Sequence, residues 1–177
     1  RKLDNLYFNT SHFYKIEYYV DGNLYHTEYL KYGSTVPDLD IPEKEGYSIV
    51  WDTDIPEIMP ENDMRINISY SLNEYEVDYY LDGELYQTAS VPYGSEIPQI
   101  VIPEKEGHTI VWNTDIPETM PANDLRINIS YSLNEYVVDY YLDGELYHTT
   151  SVAYGSEIPQ IVIPEKEGHT IVWNTDI

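Results

Sequence analysis

Tyr75-Glu76-Val77-Asp78-Tyr79-Tyr80-Leu81-Asp82-Gly83 is the stretch on which the fold is decided. Val77, Tyr79 and Leu81 occupy every second position, so an extended chain places them on one face. Valine and tyrosine favour a pleated strand. Asp82-Gly83 follows, and this pair tolerates the positive φ that a tight hairpin turn requires. The return strand runs from Leu85 to about Val91. Two registers suit the sequence. A two-residue turn pairs Leu81 with Glu84, whereas a bulged turn pairs it with Leu85. A one-residue slip exchanges the two faces, so the inward residues of the return strand stay open.

This stretch occurs three times. With Tyr14, Tyr75 and Tyr136 in register, the 177-residue chain repeats every 61 residues without a gap. Gly22, Gly83 and Gly144 coincide, as do Trp51, Trp112 and Trp173. Between 75–116 and 136–177 only four of 42 positions differ: Glu76/Val137, Gln87/His148, Ala89/Thr150 and Pro92/Ala153. Such self-similarity outweighs length as a guide to domain number. It divides the chain into repeats at 14–74, 75–135 and 136–177, after a lead of residues 1–13. The third repeat ends before the segment matching Pro117–Glu135, so it lacks a last strand.

The remainder of the middle repeat reads as three further pieces. Tyr93-Gly94-Ser95 is a turn. Ile97 to Pro103 is bracketed by prolines, which leaves little room for a helix and favours extended or turn-like backbone. Glu104-Lys105-Glu106-Gly107 is a charged turn before a short strand, His108–Trp112. Ile116-Pro117 and Met120-Pro121 make residues 113–124 a loop. Leu125, Ile127, Ile129, Tyr131 and Leu133 then alternate with Arg126, Asn128, Ser130 and Ser132, the pattern of a half-buried strand. The expected inward set is Val77, Tyr79, Leu81, Ile110, Trp112, Leu125, Ile127 and Ile129. No window has useful helical periodicity. The fold class is mainly β, at most α+β: small modules with little helix, arranged as an elongated array. A 61-residue unit without staples is marginal and gains stability from its neighbours.

Ser132-Leu133-Asn134-Glu135 joins one repeat to the next without Gly or Pro. A flexible linker is Gly/Ser-rich. This one is not, so a semi-rigid array is expected, each unit adding on the order of 25–35 Å.

Net charge is −23. Residues 14–74 carry 4 basic and 13 acidic side chains (−9) and 75–135 carry 2 and 11 (−9); 136–177 carry 1 and 7 (−6), and the lead adds +1. Uniform negative charge repels phosphate backbones and anionic lipid, which argues against nucleic acid and membrane surfaces as partners. There is no cysteine, hence no disulfide and no thiolate metal site. No apolar run approaches the roughly 20 residues of a membrane span. Arg1-Lys2-Leu3-Asp4 has no apolar stretch behind it, so an internal fragment without a secretion signal is expected.

The run Tyr75 to Gly83, then Val91 to Gly94, Pro103 to Trp112 and Pro117 to Asp124, resembles the Listeria–Bacteroides repeat, the family of the internalin B-repeats. The resemblance covers residues 14–177. It implies compact β-grasp-like modules of the ubiquitin or SUMO type, carried in tandem on secreted or cell-surface bacterial proteins. Family members commonly have Gly before the tryptophan, where this chain has Val50, Val111 and Val172. The usual β-grasp helix also has little sequence to occupy. Residues 1–13, with Leu3, Leu6 and Phe8, look like the tail of a preceding leucine-rich repeat.

No constellation points to catalysis. His26 and His148 share a repeat position that holds Gln87 in the middle repeat. His108 and His169 share one that holds Tyr47 in the first. A general base or metal ligand is not exchanged so freely. No nucleophile stands in a Gly-x-Ser-x-Gly elbow. Asp115, Glu118 and Asp124 form an acidic loop whose spacing fits no calcium-binding pattern, and a solvated loop is expected. No cofactor and no metal are expected. Asn9-Thr10-Ser11, Asn67-Ile68-Ser69 and Asn128-Ile129-Ser130 match the glycosylation acceptor pattern, but these residues also suit the outer face of a strand. Among 20 tyrosines, alternation sends Tyr79 and Tyr80 to opposite faces. Tyr19, Tyr80 and Tyr141 thereby form a periodic set able to stack on a glycan or protein, or simply to shield the sheet.

Two functional expectations follow. The chain is a non-catalytic extracellular stalk that projects an adjacent recognition domain from a bacterial surface, with host protein or glycan bound by that domain. Alternatively the repeats themselves engage a host protein or glycan, with avidity from repetition. The incomplete third repeat exposes a sheet edge, which either frays or is filled by a strand from another chain.

Overall fold

A computed structural model describes residues 12–175. Every regular element in it is a strand, and among the described residues there is no helix. The chain divides into two compact units. The first holds the chain up to Val77 with Ala89–Pro98 and Pro117–Leu125. The second holds Asp78–Thr88, Gln99–Ile116 and the chain from Arg126 onward. The division crosses the middle repeat.

In the first repeat, β1 (Phe13–Val20) and β2 (Asn23–Lys31) form the hairpin, followed by β3 (Tyr47–Trp51) and β4 (Met64–Leu72). The sheet order is β2-β1-β4-β3, with β1 and β4 parallel at the centre and antiparallel strands outside. A parallel pair requires a long crossover, which β2, β3 and their connections supply. The same order recurs as β6-β5-β8-β7, with β5 (Glu74–Leu81), β6 (Glu84–Pro92), β7 (His108–Trp112) and β8 (Leu125–Leu133). The third repeat forms only a two-stranded sheet of β9 (Glu135–Leu142) and β10 (Glu145–Ala153).

Of the two hairpin registers that the sequence left open, the structure has the two-residue turn. The turn has two residues: Val20 pairs with Asn23, and Asp21 and Gly22 adopt φ of 47° and 80°. A bulge lies farther along, because Tyr19 pairs with Leu24 but Tyr18 pairs with His26, leaving Tyr25 as the extra residue. The third repeat repeats this, with Leu142 on Glu145 and Tyr147 bulged.

Alternation builds the core. Ile16 and Tyr18 from β1 and Ile66 and Ile68 from β4 are buried with Val36, Ile41 and Met59. The last three come from proline-rich connections rather than strands. The first unit also buries Val77, Val91 and Met120, and the second buries Tyr79, Ile102, Ile127, Ile129 and Tyr140. Of the expected inward set, Val77, Tyr79, Ile127 and Ile129 are buried, and Leu81, Ile110 and Leu125 are half-buried. Trp112 departs from it at 43% exposed. It ends a five-residue strand, so no further residue of that strand covers it.

Residues 113–124 are more than a loop. Gly94 N–H donates to the Met120 carbonyl at 2.9 Å, and Met120 N–H donates to the Ser95 carbonyl at 2.8 Å. This short antiparallel bridge, with Glu96 opposite Thr119, lowers Met120 into the core, where it is 1% exposed. Met59 is placed the same way by Gly33 and Ser34. Prolines exclude a helix here yet permit extended backbone, and the unbranched methionine fills an irregular gap. The Tyr131 hydroxyl donates to the Pro103 carbonyl at 2.5 Å and Tyr70 does likewise to Pro42 at 2.5 Å, tying the earlier proline segment to the sheet.

Candidate functional site

No group of three His, Asp or Glu side chains among the described residues could hold a metal ion. The Asp124 carboxylate, one of the acidic loop residues, instead accepts the Glu76 N–H at 2.9 Å. Each described histidine that recurs between repeats has a local partner. His26 meets Glu28 at 3.1 Å, and His108 and His169 contact the Glu106 and Glu167 carbonyls at 2.8 and 2.9 Å. His148 lies 6.0 Å from the Tyr140 ring.

The periodic tyrosines fall into different surroundings. Tyr19 and Tyr80 are half-buried, each beneath a guanidinium, Arg65 and Arg126, at 3.8 Å from the ring centroid. Such stacking suits arginine's planar, weakly hydrated head. Tyr141 is 65% exposed. Residues 1–11, which hold most of the stretch 1–13 expected to be a leucine-rich-repeat tail and also Asn9-Thr10-Ser11, lie outside the described residues.

The best-built feature recurs where one repeat passes into the next. A single residue, Asn73, separates β4 from β5. Its N–H donates to the Gly46 carbonyl at 2.9 Å, extending the β3–β4 ladder, and its own carbonyl accepts the Tyr93 N–H at 2.9 Å, extending the β5–β6 ladder. The side-chain oxygen of Asn73 accepts the Ser48 hydroxyl at 2.6 Å. One asparagine therefore belongs to both sheets. The Tyr93 ring packs against Gly46: a Cβ on that glycine would sit 2.1 Å from a ring carbon, and its φ is +76°. Only glycine meets both conditions. Tyr47 packs edge-on against Tyr93 at 6.4 Å and against Tyr70 at 6.5 Å, with the Lys44 ammonium 3.9 Å from the Tyr47 ring centroid.

The second joint repeats the asparagine, glycine and tyrosine, with His108 and Thr109 where the first has Tyr47 and Ser48. Asn134 N–H donates to the Gly107 carbonyl at 2.8 Å, and Tyr154 N–H donates to the Asn134 carbonyl at 2.9 Å. Thr109 takes the part of Ser48, donating to the Asn134 side chain at 2.6 Å. A Cβ on Gly107 would meet the Tyr154 ring at 2.0 Å. A hydrogen bond with the Glu106 carboxylate raises the pKa of the Tyr154 phenol above its usual 10.0, with some burial in the same direction.

Sequence reasoning read Tyr93-Gly94 and Glu106-Gly107 as turns within their own repeats and missed that they meet across repeats. The available signal was the persistence of Tyr32, Tyr93 and Tyr154, of Gly46, Gly107 and Gly168, and of Asn73 and Asn134 at fixed offsets. That signal does not say which partner each one meets, because Gly46 and Tyr93 lie 47 residues apart (93 − 46).

A putative membrane protein of Evansella cellulosilytica is 29% identical over 170 residues, covering 82% of this chain and 25% of that protein. A putative Gly-rich membrane protein of the same organism is 26% identical over 164 residues, covering 79% and 18%. The chain thus spans a quarter or less of these relatives. No helix among the described residues is long and apolar enough to cross a membrane. Among solved structures, the chain is similar to domains 3–4 of the Streptococcal High Identity Repeats in Tandem of a cell surface protein. That likeness has 12% identity and a TM-score of 0.24 over 68% of this chain and 99% of the other, and at that level nothing about this chain follows from it. Residues 75–129, the middle repeat almost entire, match the model of the Listeria-Bacteroides repeat domain.

Proposed function

We propose that this chain is a non-catalytic spacer in an extracellular bacterial surface protein, holding an adjacent recognition domain away from the cell. The observation that carries this reading is the joint, built twice from the same asparagine, glycine and tyrosine. A linker meant to let domains tumble does not spend two ladder hydrogen bonds and a packed ring on one residue. The sheet order 2-1-4-3 with its central parallel pair further supports reading each repeat as a β-grasp module. In that reading the proline segments cover the sheet face that a helix otherwise takes. The acidic balance of −23 suits a soluble extended segment.

A second reading, in which the repeats bind a host protein or glycan, rests on the recurrence of Tyr19, Tyr80 and Tyr141 at one repeat position. Replacing Tyr19, Tyr80 and Tyr141 by serine in the parent surface protein separates the two. The spacer reading expects adhesion to be unchanged, while small-angle scattering shows the maximum dimension climbing with each added repeat. A loss of adhesion with these variants would give the role to the repeats. Constant dimensions would end the spacer reading.

A further inference from the structure

The chain enters each of the first two repeats on one strand and leaves on another, and those two strands lie side by side. β1 pairs parallel to β4 from Ile16 opposite Met64 to Val20 opposite Ile68, and β5 neighbours β8 in the same sheet order. In a parallel pair the start of one strand and the end of the other face opposite ways. A pull that reaches the first repeat through Phe13 and Asn73 therefore slides β1 along β4 and loads all five residue pairs together. A pull on the two strand starts would open the same ladder one pair at a time.

Side chains close this pair at both ends. Lys15 N–H donates to the Asp63 carboxylate at 2.8 Å where β1 begins, and Tyr70 N–H donates to the Asp21 carboxylate at 3.1 Å where it turns. The second repeat has the same two bonds, Glu76 N–H to Asp124 at 2.9 Å and Tyr131 N–H to Asp82 at 3.0 Å. Both faces are covered as well. Ile16 and Tyr18 are buried in one cluster with Ile66 and Ile68. On the outer face the Arg65 guanidinium of β4 reaches across to the Tyr19 ring of β1 at 3.8 Å, and Arg126 does the same to Tyr80. Water is the competing partner for each ladder bond, so a covered ladder keeps its bonds until they part together.

We propose that these repeats are tension clamps: load-bearing modules whose entry and exit strands resist a pull along the chain by shear. The proposal rests on the spacer reading for the source of the pull, because a segment between a cell and a held domain carries the force that separates them. Asn73 alone stands between β4 and β5, so the load passes from one clamp to the next without a slack linker.

The test is single-molecule force spectroscopy on the 177-residue chain, which has no native cysteine. Phe13→Cys with Ser71→Cys puts the handles at the start of β1 and near the end of β4, and loads the pair in shear. Phe13→Cys with Asn62→Cys puts them beside the two strand starts and unzips it. All three positions are exposed, so both variants should fold alike, with equal chemical denaturation midpoints. The rupture force of the first repeat should be at least roughly twofold greater in shear, because forced unfolding follows the barrier along the pull and not the folding equilibrium. Equal forces in the two geometries would overturn the clamp, and so would a greater force in unzipping. Scattering dimensions that climb with added repeats beside equal forces would show the clamp alone to be wrong. Constant dimensions beside unequal forces would show the spacer reading alone to be wrong.

Discussion

Residues 108–112 and 169–173 have the same sequence, His-Thr-Ile-Val-Trp, yet the first is a strand and the second is not. The hairpins before them differ at four positions of the surrounding 42. What separates them is β8, which pairs with β7 from His108 on Leu133 to Trp112 on Ile129. A five-residue apolar segment gains too little from its own propensity to hold a strand; cross-strand pairs and a buried face decide it. The fourth strand is therefore the element that closes each repeat, and the same strand continues through one asparagine into the next.

This comparison can be broken from either side. Placing Asp at both Ile127 and Ile129 should make the middle repeat resemble the third. Two charges in a site about 1% exposed cost about 4 kcal/mol or more, and amide exchange should show 108–112 losing protection. Retained protection there would mean that β7 stands without β8. A smaller effect is expected from Met120→Ala, which removes the plug from the proline segment and costs about 2–5 kcal/mol in chemical denaturation. A loss below roughly 1 kcal/mol would show that this segment lies loosely on the core.

Gly107 and Gly168 offer the same contrast at finer scale. Both have left-handed φ, +69° and +76°, but a Cβ on Gly107 meets the Tyr154 ring while one on Gly168 meets nothing within 4 Å. Gly168→Ala should cost only the backbone term of about 1–2 kcal/mol. Gly107→Ala should cost that and also displace Tyr154, so the double variant Gly107→Ala with Tyr154→Ala should be less than additive. Additive losses would show that ring and glycine are energetically independent.

The smallest effect concerns pH. The Tyr154 phenol has a raised pKa through its hydrogen bond with Glu106, so the folded joint holds this proton more tightly than the unfolded chain does. Its contribution is fully present below the unfolded value of 10.0 and is lost as pH rises through the folded value. Burial raises Tyr18 and Tyr79 as well, with the same sign. Stability should fall in the alkaline range, and Glu106→Gln should shift the Tyr154 ultraviolet titration downward. An unmoved titration would remove Glu106 from the joint.

Much of this was legible in the residues. Period-2 alternation located β5 and β8, and Asp82-Gly83 located the turn. Met120 was not legible as core, because a methionine between prolines reads as loop until its backbone bridge to Ser95 is known. Trp112 was misread because alternation gives a face but not where the sheet ends. The joint was missed for a similar reason. A glycine that must receive a ring and a glycine that merely turns the chain look alike in sequence.

The joint built on Asn73, Gly46 and Tyr93 fixes the first repeat to the second. The chain has no native cysteine, so Asn23→Cys in the first repeat and Glu96→Cys in the second can be spin-labelled cleanly. Pulsed dipolar spectroscopy should then give a single narrow distance distribution that broadens when Tyr93 is replaced by Ala. A distribution already broad in the parent chain, as a freely bending linker would give, would contradict the account.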